Sequence, residues 1–502
     1  MTHLKHSHFK LGALVATLSL AGLTVPALAF DSGSTGADGD FSPTVNTELQ
    51  IPESGVFNFT TVNIPTGVTV TFKKNTTNTP VVVLTSGNVT IAGAIVVNGG
   101  NATNVGAAGD GNLGDDGMPG EGGPGGYSGG RGGLSGKVHG GMGLGPGGGG
   151  GGAKLGTAYW SYNGDITGGG GAGFAGAGVF SQPQLPDAPY SNTGVGGPAY
   201  GSNVLLPLIG GSGGGGGAGG LNFSGSGGGG GGGAILIASS GTVNVTGTIS
   251  ANGGASGNTA GDGMGAIGGG GSGGAIRIVA TAIAGNGAIS AVNGGVGSGQ
   301  NYTGSPQYYV TAGGAASVGR IRLEAETFTR TATSSPSHSF GSPGSVFVAG
   351  LPTLRITSVA GVAAPANPTG NADITLPSTT PNPVTVEFAT TGVPVGNTVS
   401  LKVTPAYGLA TTVVSPAITG STSAGVASVS ATLPSGPSVL SASTTYTIVT
   451  AMGEALSVYA QGEVVEKVRL STTMNGPTLA TLITKSGKEF DVPHAALAMI
   501  GS

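Results

Sequence analysis

The chain has no cysteine, one tryptophan and few charges. Without cysteine there are no disulfides, no thiolate metal sites and no cysteine nucleophile. Charged residues are 8% of the total, against about a quarter in an ordinary globular protein. No Lys and Arg cluster exists to draw nucleic acid, whose binding leans on such clusters. Beyond residue 29 the only histidines are His139, His338 and His494, spread over three regions. There is no H-E-x-x-H, no serine in a G-x-S-x-G elbow joining a strand to a helix, and no G-K-[ST] after a glycine run. The sequence therefore predicts no catalytic residues, no metal site and no bound cofactor, and the chain reads as a non-enzyme.

What is present begins with an export signal. Lys5 and Lys10 form a positive start, Leu11 to Val25 a short apolar run, and Ala27-Leu28-Ala29 a small-x-small cleavage site. Cleavage after Ala29 is expected, since the apolar run is shorter than the ~20 residues that span a bilayer. It would leave 15 Lys and Arg against 21 Asp and Glu, because Lys5 and Lys10 depart from a total of 17. No later stretch is long and apolar enough to span a membrane, so the expected location is the medium or the cell surface.

Three segments share one pattern: Val81 to Gly100, Ala234 to Gly254 and Ala275 to Gly295. Each runs from an apolar strand through a turn to a second short strand and then Asn-Gly-Gly. A fourth copy opens at Gly319-Arg320-Ile321-Arg322-Leu323 and fades. Apolar residues alternate with small or polar ones, as in Ile276-Arg277-Ile278, which is the mark of strands. Units this short cannot bury an apolar face alone, so they should stack and share a core. A parallel β-helix does this, with Val56 to Phe59 and Val68 to Phe72 in its first coils; a β-sandwich is the alternative.

The copies at Gly268 to Ala280 and Gly247 to Gly254, with Gly-Val-Thr-Val-Thr-Phe at Gly67 to Phe72, resemble glycine-rich secreted bacterial proteins with β-helical or adhesin-like stalks. The resemblance covers roughly Phe30 to Ala325. It implies adhesion, matrix building or polysaccharide processing, and it supplies no catalytic motif to carry over.

More than half of the 106 glycines lie between Asn101 and Gly233, an insertion between the first two copies. Such a segment cannot build a side-chain core. Glycine recurs at every third place at 111, 114, 117, 120, 123, 126, 129 and 132, a period suited to a left-handed extended helix with three residues per turn. Three readings stand open: a flexible low-complexity loop, polyglycine segments of one chain packed side by side, and a collagen-like trimer. The insertion is expected to protrude from the β-helix rather than to belong to its scaffold.

Four sets of side chains invite a chemical reading. Asp110, Asn112, Asp115, Asp116 and Glu121 are oxygen-rich, but they lack the spacing of a calcium loop and read as solvated. Tyr159, Trp160 and Tyr162, beside Asn163 and Asp165, offer rings that stack on sugars, or anchors that pin the insertion by burial. Arg277 and Arg322 align in successive copies, with Glu324 two residues on. They read as solvated arginines balanced by Glu324, in preference to an anion-binding ladder. A polysaccharide lyase or hydrolase would want paired carboxylates, or a cation beside an acid, on neighbouring coils, and the repeat strands supply mostly Ala, Ser, Thr, Ile and Val.

From about Leu351 glycine falls to 13 in 152 residues and the repeat disappears. Segments Leu354 to Val359, Val384 to Phe388, Val399 to Val403, Val426 to Leu433 and Tyr446 to Thr450 alternate between turn residues. They suggest an immunoglobulin-like sandwich of about seven strands, without the cysteine pair or core tryptophan of antibody domains. A short helix is expected at Ala495 to Ile500. The expectation as a whole is an all-β protein: a glycine-rich β-helix over 30 to 350, with the insertion at 101 to 233, then a sandwich over 351 to 502. Its expected role is structural, in adhesion or an extracellular matrix or filament, with polysaccharide or self-association as partners. The alternative is a polysaccharide-binding or polysaccharide-degrading enzyme.

Overall fold

The computed structural model describes residues 29–105, 117–136, 138–153, 166–181, 194–220, 223–259, 265–298, 312–347, 350–365, 373–406, 409–474 and 478–500. The expected leader therefore lies almost wholly outside the described residues.

Alternation of apolar and small residues gives thirteen strands before residue 342. They are β1 (Gly39–Phe41), β2 (Thr47–Gln50), β3 (Val56–Ile64), β4 (Thr69–Lys73), β5 (Val81–Thr85), β6 (Val89–Ile91) and β7 (Ala94–Val96). After the glycine-rich insertion come β8 (Ala234–Val245), β9 (Thr248–Ser250), β10 (Ala275–Ala284), β11 (Ala288–Ser290), β12 (Arg320–Phe328) and β13 (Ser339–Gly341). Eight of them form one sheet in the order β1-β3-β5-β8-β10-β12-β13, with β6 beside β3 and β8. The other five form a second sheet, β11-β9-β7-β4-β2. All the pairings within these two sheets are parallel.

The repeat seen in the sequence is the register of these ladders. Ile235 lies opposite Ile276, and Ile276 opposite Ile321. Thr248 to Ser250 lie opposite Ala94 to Val96 on one side and Ala288 to Ser290 on the other. Inward side chains of both sheets, among them Ile91, Val97, Ile237, Val245, Ile249, Ile278 and Ile289, form one core. The outer face of the larger sheet is covered too, where Leu84, Leu236 and Val279 pack under Phe174, Leu205 and Leu208. Residues from the insertion thus close the face that the repeats alone leave open.

At one end of this core the sheets converge and side chains give way to glycine. Gly233 N donates to Val97 O, Gly274 N to Ala251 O, and Gly319 N to Ala291 O, each at 2.7 Å. Those bonds join the chain entering one sheet to the chain leaving the other. From there an array of extended segments continues, built from the insertion and from the glycine runs that precede β8, β10 and β12.

Its bonding has a period of three. Gly117, Gly120 and Gly123 donate to Gly225, Gly228 and Gly231; after a reversal, Gly129 and Gly132 donate back to Gly120 and Gly117. Along the central run, Gly213 donates to Leu144, Gly214 to Gly229, Gly215 to Gly170, Gly216 to Gly141, Gly217 to Ser226 and Ala218 to Thr167. Three neighbouring segments are visited in rotation, so consecutive peptide groups point in three directions and each finds a partner. Close approach of backbones is the condition: a Cβ at Gly215 would sit 2.0 Å from Gly150 O, and one at Gly216 2.0 Å from Arg131 O. At the reversal near Pro146, Gly145 has φ +95°, a conformation that L side chains rarely adopt.

The described part of the insertion is therefore no free loop, and its neighbours come from the same chain rather than from a trimer. It also does not merely protrude, because it hydrogen-bonds the repeat units' own glycine runs and covers their sheet.

After residue 350 the pairing becomes antiparallel. The strands are β14 (Thr353–Val359), β15 (Val362–Ala363), β16 (Val384–Thr391), β17 (Thr398–Pro405), β18 (Thr411–Ala417) and β19 (Thr419–Ser421). They continue with β20 (Ala424–Ala431), β21 (Ser438–Thr447), β22 (Val465–Thr473), β23 (Leu479–Thr484) and β24 (Glu489–Val492). Two sheets, β15-β14-β16-β20-β19 and β18-β17-β21-β22-β23-β24, share a core that includes Ile356, Phe388, Leu401, Val468 and Leu482. Strict alternation in β16, with every second residue from Val384 to Thr390 buried, follows from one face being packed and the other wet. A helix, α1 (Thr450–Leu456), went unread in the sequence, and the expected C-terminal helix is a 3-10 turn at His494–Ile500. Tyr127 and Ile209, from the glycine array, pack against this second core.

Candidate functional site

Most sequence candidates do not come together. Asp110, Asn112, Asp115 and Asp116 lie outside the described residues, as do Tyr159, Trp160, Tyr162, Asn163 and Asp165. Glu121 is exposed, and its backbone carbonyl accepts from Gly100 N at 2.7 Å. Among the described residues no three His, Asp or Glu side chains gather as metal ligands would.

Arg277 and Arg322 do stand in register, but the expectation that both are solvated is corrected. Arg277 is 2% exposed and Glu324 equally so. Arg277 Nε donates to Glu324 Oε1 at 3.1 Å and Nη2 to Oε2 at 3.0 Å; Arg322 Nε reaches Oε1 at 3.1 Å. Gly344 N donates to Oε2 at 2.8 Å, and Arg322 Nη1 to Phe340 O at 3.0 Å. Burial pushes the Glu324 carboxyl up, but the two guanidiniums and the Gly344 amide outweigh it and hold the group below the usual range. The strand following β12 covers this cluster, which neither β10 nor β12 alone foretold. Its bonds are spent on fastening β13 and residue 344 to the sheet, and Leu236 occupies the place beside Arg277 in β8. No ladder of cations results.

The histidines are equally occupied. His338 Nδ1 meets Ser334 Oγ at 3.0 Å, yet that hydroxyl donates to Pro336 O at 2.8 Å. That hydroxyl thus has a carbonyl as well as the ring nitrogen within reach and is tied into the turn at Pro336. His494 Nε2 meets Pro352 O at 2.6 Å; burial pushes its pKa down, partly opposed by that carbonyl.

Two features went unseen in the sequence. One is a cleft of about 370 Å³ where the parallel stack meets the antiparallel part, lined by Glu53, Thr77, Thr79, Arg355, Thr478 and His494 among others. Its walls come from residues about 270 to 440 positions apart in sequence, so no local signal marks it. Glu53 is the one carboxylate in the lining, held by Thr76 Oγ1 at 2.7 Å. Hydroxyls, one acid, one guanidinium and an imidazole already bonded to Pro352 O suit hydrogen bonding to a polar ligand.

The second is an asparagine ladder on the outer layer of the array. Asn98, Asn101 and Asn104 accept, through Oδ1, from the amides of Asn252, Ala255 and Asn258 at 2.8, 2.8 and 2.9 Å. Asn252 and Asn258 in turn accept from Val292 and Ser298 at 2.9 and 2.7 Å. An outermost segment lacks a neighbour on one side, so one amide in three finds no backbone carbonyl, and the Asn side chain supplies the oxygen. The signal was legible as Asn at every third place, but Asn-Gly-Gly reads locally as a turn.

No family model, no curated protein and no solved structure matches this chain. No helix among the described residues is long and apolar enough to cross a membrane.

Proposed function

We propose that the chain is an exported bacterial structural protein acting in adhesion or in an extracellular matrix. On this reading residues 30 to 350 form a parallel β-helix whose coils extend into a polyglycine II array. Residues 351 to 502 form an immunoglobulin-like sandwich, and a leader ends at Ala29. The observation that carries it is where the polar groups go: peptide groups of the array bond in rotation to three neighbours, and the buried Arg277–Glu324 pair fastens strands together. The array thereby holds its shape with almost no charge and no side-chain core of its own, as a stalk outside the cell requires. Fractionation of producing cells tests the reading. The protein should begin at Phe30 and stay with washed cells or matrix polysaccharide, and an intact Met1 terminus with cytosolic retention would overturn it.

The junction cleft favours a second reading, polysaccharide binding. Its described lining lacks a carboxylate pair but sets Arg355 with Glu53, so release of reducing or unsaturated ends from a glycan panel would favour the degrading enzyme over simple binding.

A further inference from the structure

Among the described residues the parallel stack ends without a polar cap, and one of its two columns of inward side chains reaches both ends. One column runs Phe57, Val83, Ile237, Ile278, Leu323, Phe340 across successive strands. A second runs Phe41, Val62, Val89, Val243, Ile283, Phe328. Their middle members are buried in the core. The last members are not: Phe340 is 72% and Phe328 39% exposed, and their rings meet edge to face with centroids 6.2 Å apart. β13 covers only Arg322 to Glu324 of β12, so Glu326 to Phe328 have no strand on that side among the described residues. At the other end Phe41 is partly buried and Val45 is 68% exposed.

Repeat stacks ordinarily close with polar terminal units, because an open end is a template for pairing. Here the charges of the two ends also differ. Residues 36 to 48 hold Asp38, Asp40 and Glu48 and no Lys or Arg, whereas residues 318 to 347 hold Arg320, Arg322 and the buried Arg330 against Glu324 and Glu326. We infer that a second copy of this chain docks head to tail, the Phe328 and Phe340 end of one stack against the Phe41 and Val45 end of the next. The second column then continues across the junction from Phe328 to Phe41, with the acidic end facing the arginine-bearing one. Such a heterologous contact does not close on itself and grows into filaments. The inference rests on the structural reading above and names the partner for it.

The test uses the processed full chain in sedimentation velocity over about a hundredfold range of concentration, with Phe340→Glu and Val45→Lys as end-blocking variants, each of which sets a like charge against the end it must meet. Both sites are largely exposed, so thermal melts should match the wild type. Wild type should form concentration-dependent oligomers that weaken with added salt, and each variant alone should associate at least about tenfold more weakly. An equal mixture should give dimers and nothing longer, since each variant retains one intact, complementary end. A wild type that stays monomeric, variants that associate as it does, or a mixture without dimers would overturn the inference. A Phe340-to-Phe340 contact would show itself as Val45→Lys dimerising alone, which also overturns it. A monomer that still stays with cells would leave the adhesion reading standing.

Discussion

Replacing Gly215 by alanine tests the backbone-only packing directly. Alanine is conformationally acceptable there, because Gly215 is not among the residues with positive φ, so the cost is steric. The new Cβ would lie 2.0 Å from Gly150 O and 2.6 Å from Gly150 C, and must retreat by about 1.4 Å to reach the 3.4 Å of ordinary contact. That shift exceeds the slack of the bonds flanking it, Gly214 to Gly229 and Gly215 to Gly170 at 2.9 Å and Gly216 to Gly141 at 2.8 Å. Overpacking costs ~1–3 kcal/mol, and weakening two or three buried backbone bonds adds ~1 kcal/mol each. The sum is ~3–6 kcal/mol, or roughly 4–9 °C in Tm for a unit of this size. Gly176→Ala is the control, since its Cβ would meet nothing nearer than Ser317 Oγ at 3.6 Å; reduced unfolded-chain entropy should stabilise it by ~0.4–1 kcal/mol. Thermal melts and amide exchange over 213 to 218 read both. Equal stability of the two variants, or unprotected amides across 213 to 218 in the wild type, would refute the packed array.

Glu324→Gln should cost ~3–5 kcal/mol in the stack, because it leaves Arg277 buried without its counter-charge; acid titration of the wild type checks the same group. Its folded pKa is held down, so its stability is present above the ordinary carboxylate range and lost as pH falls through the folded value, a loss Glu324→Gln should lack. For His494 the folded pKa is also depressed, and the unfolded chain takes the proton first. Stability of the C-terminal part should fall as pH drops below the usual value near ~6.5, and His494→Gln, which keeps a donor for Pro352, should flatten that dependence. Asn101→Ala should cost ~0.5–1.5 kcal/mol and speed amide exchange at Ala255, with distant amides unchanged.

The strands of the stack were legible because alternation and the near-constant spacing of Ile235, Ile276 and Ile321 are local, additive signals. The same holds for the C-terminal strands, whose turns are marked by Pro, Gly and Asn. The candidate sites were less legible. Arg277 and Glu324 looked like surface residues because their strand alternates, and only the chain returning at Ser339 to Gly344 buries that face. The junction cleft joins Glu53 to Arg355 and His494, a contact with no trace in either stretch alone.

By itself the sequence determined that the regular structure is nearly all strand, that the units repeat, and that the glycine insertion cannot own a side-chain core. Even the three-residue period was there to read. What it left open was whether that period is used, because a glycine run has the same composition as a flexible loop and as a packed array. The choice lies in how many neighbours stand within hydrogen-bonding reach. Those neighbours, Gly225 to Gly233, Gly265 to Gly274 and 312 to 319, are brought alongside only when the flanking strands stack. Tertiary structure decided it, since the peptide groups of glycine carry no preference for a partner until several backbones lie close enough to satisfy every one.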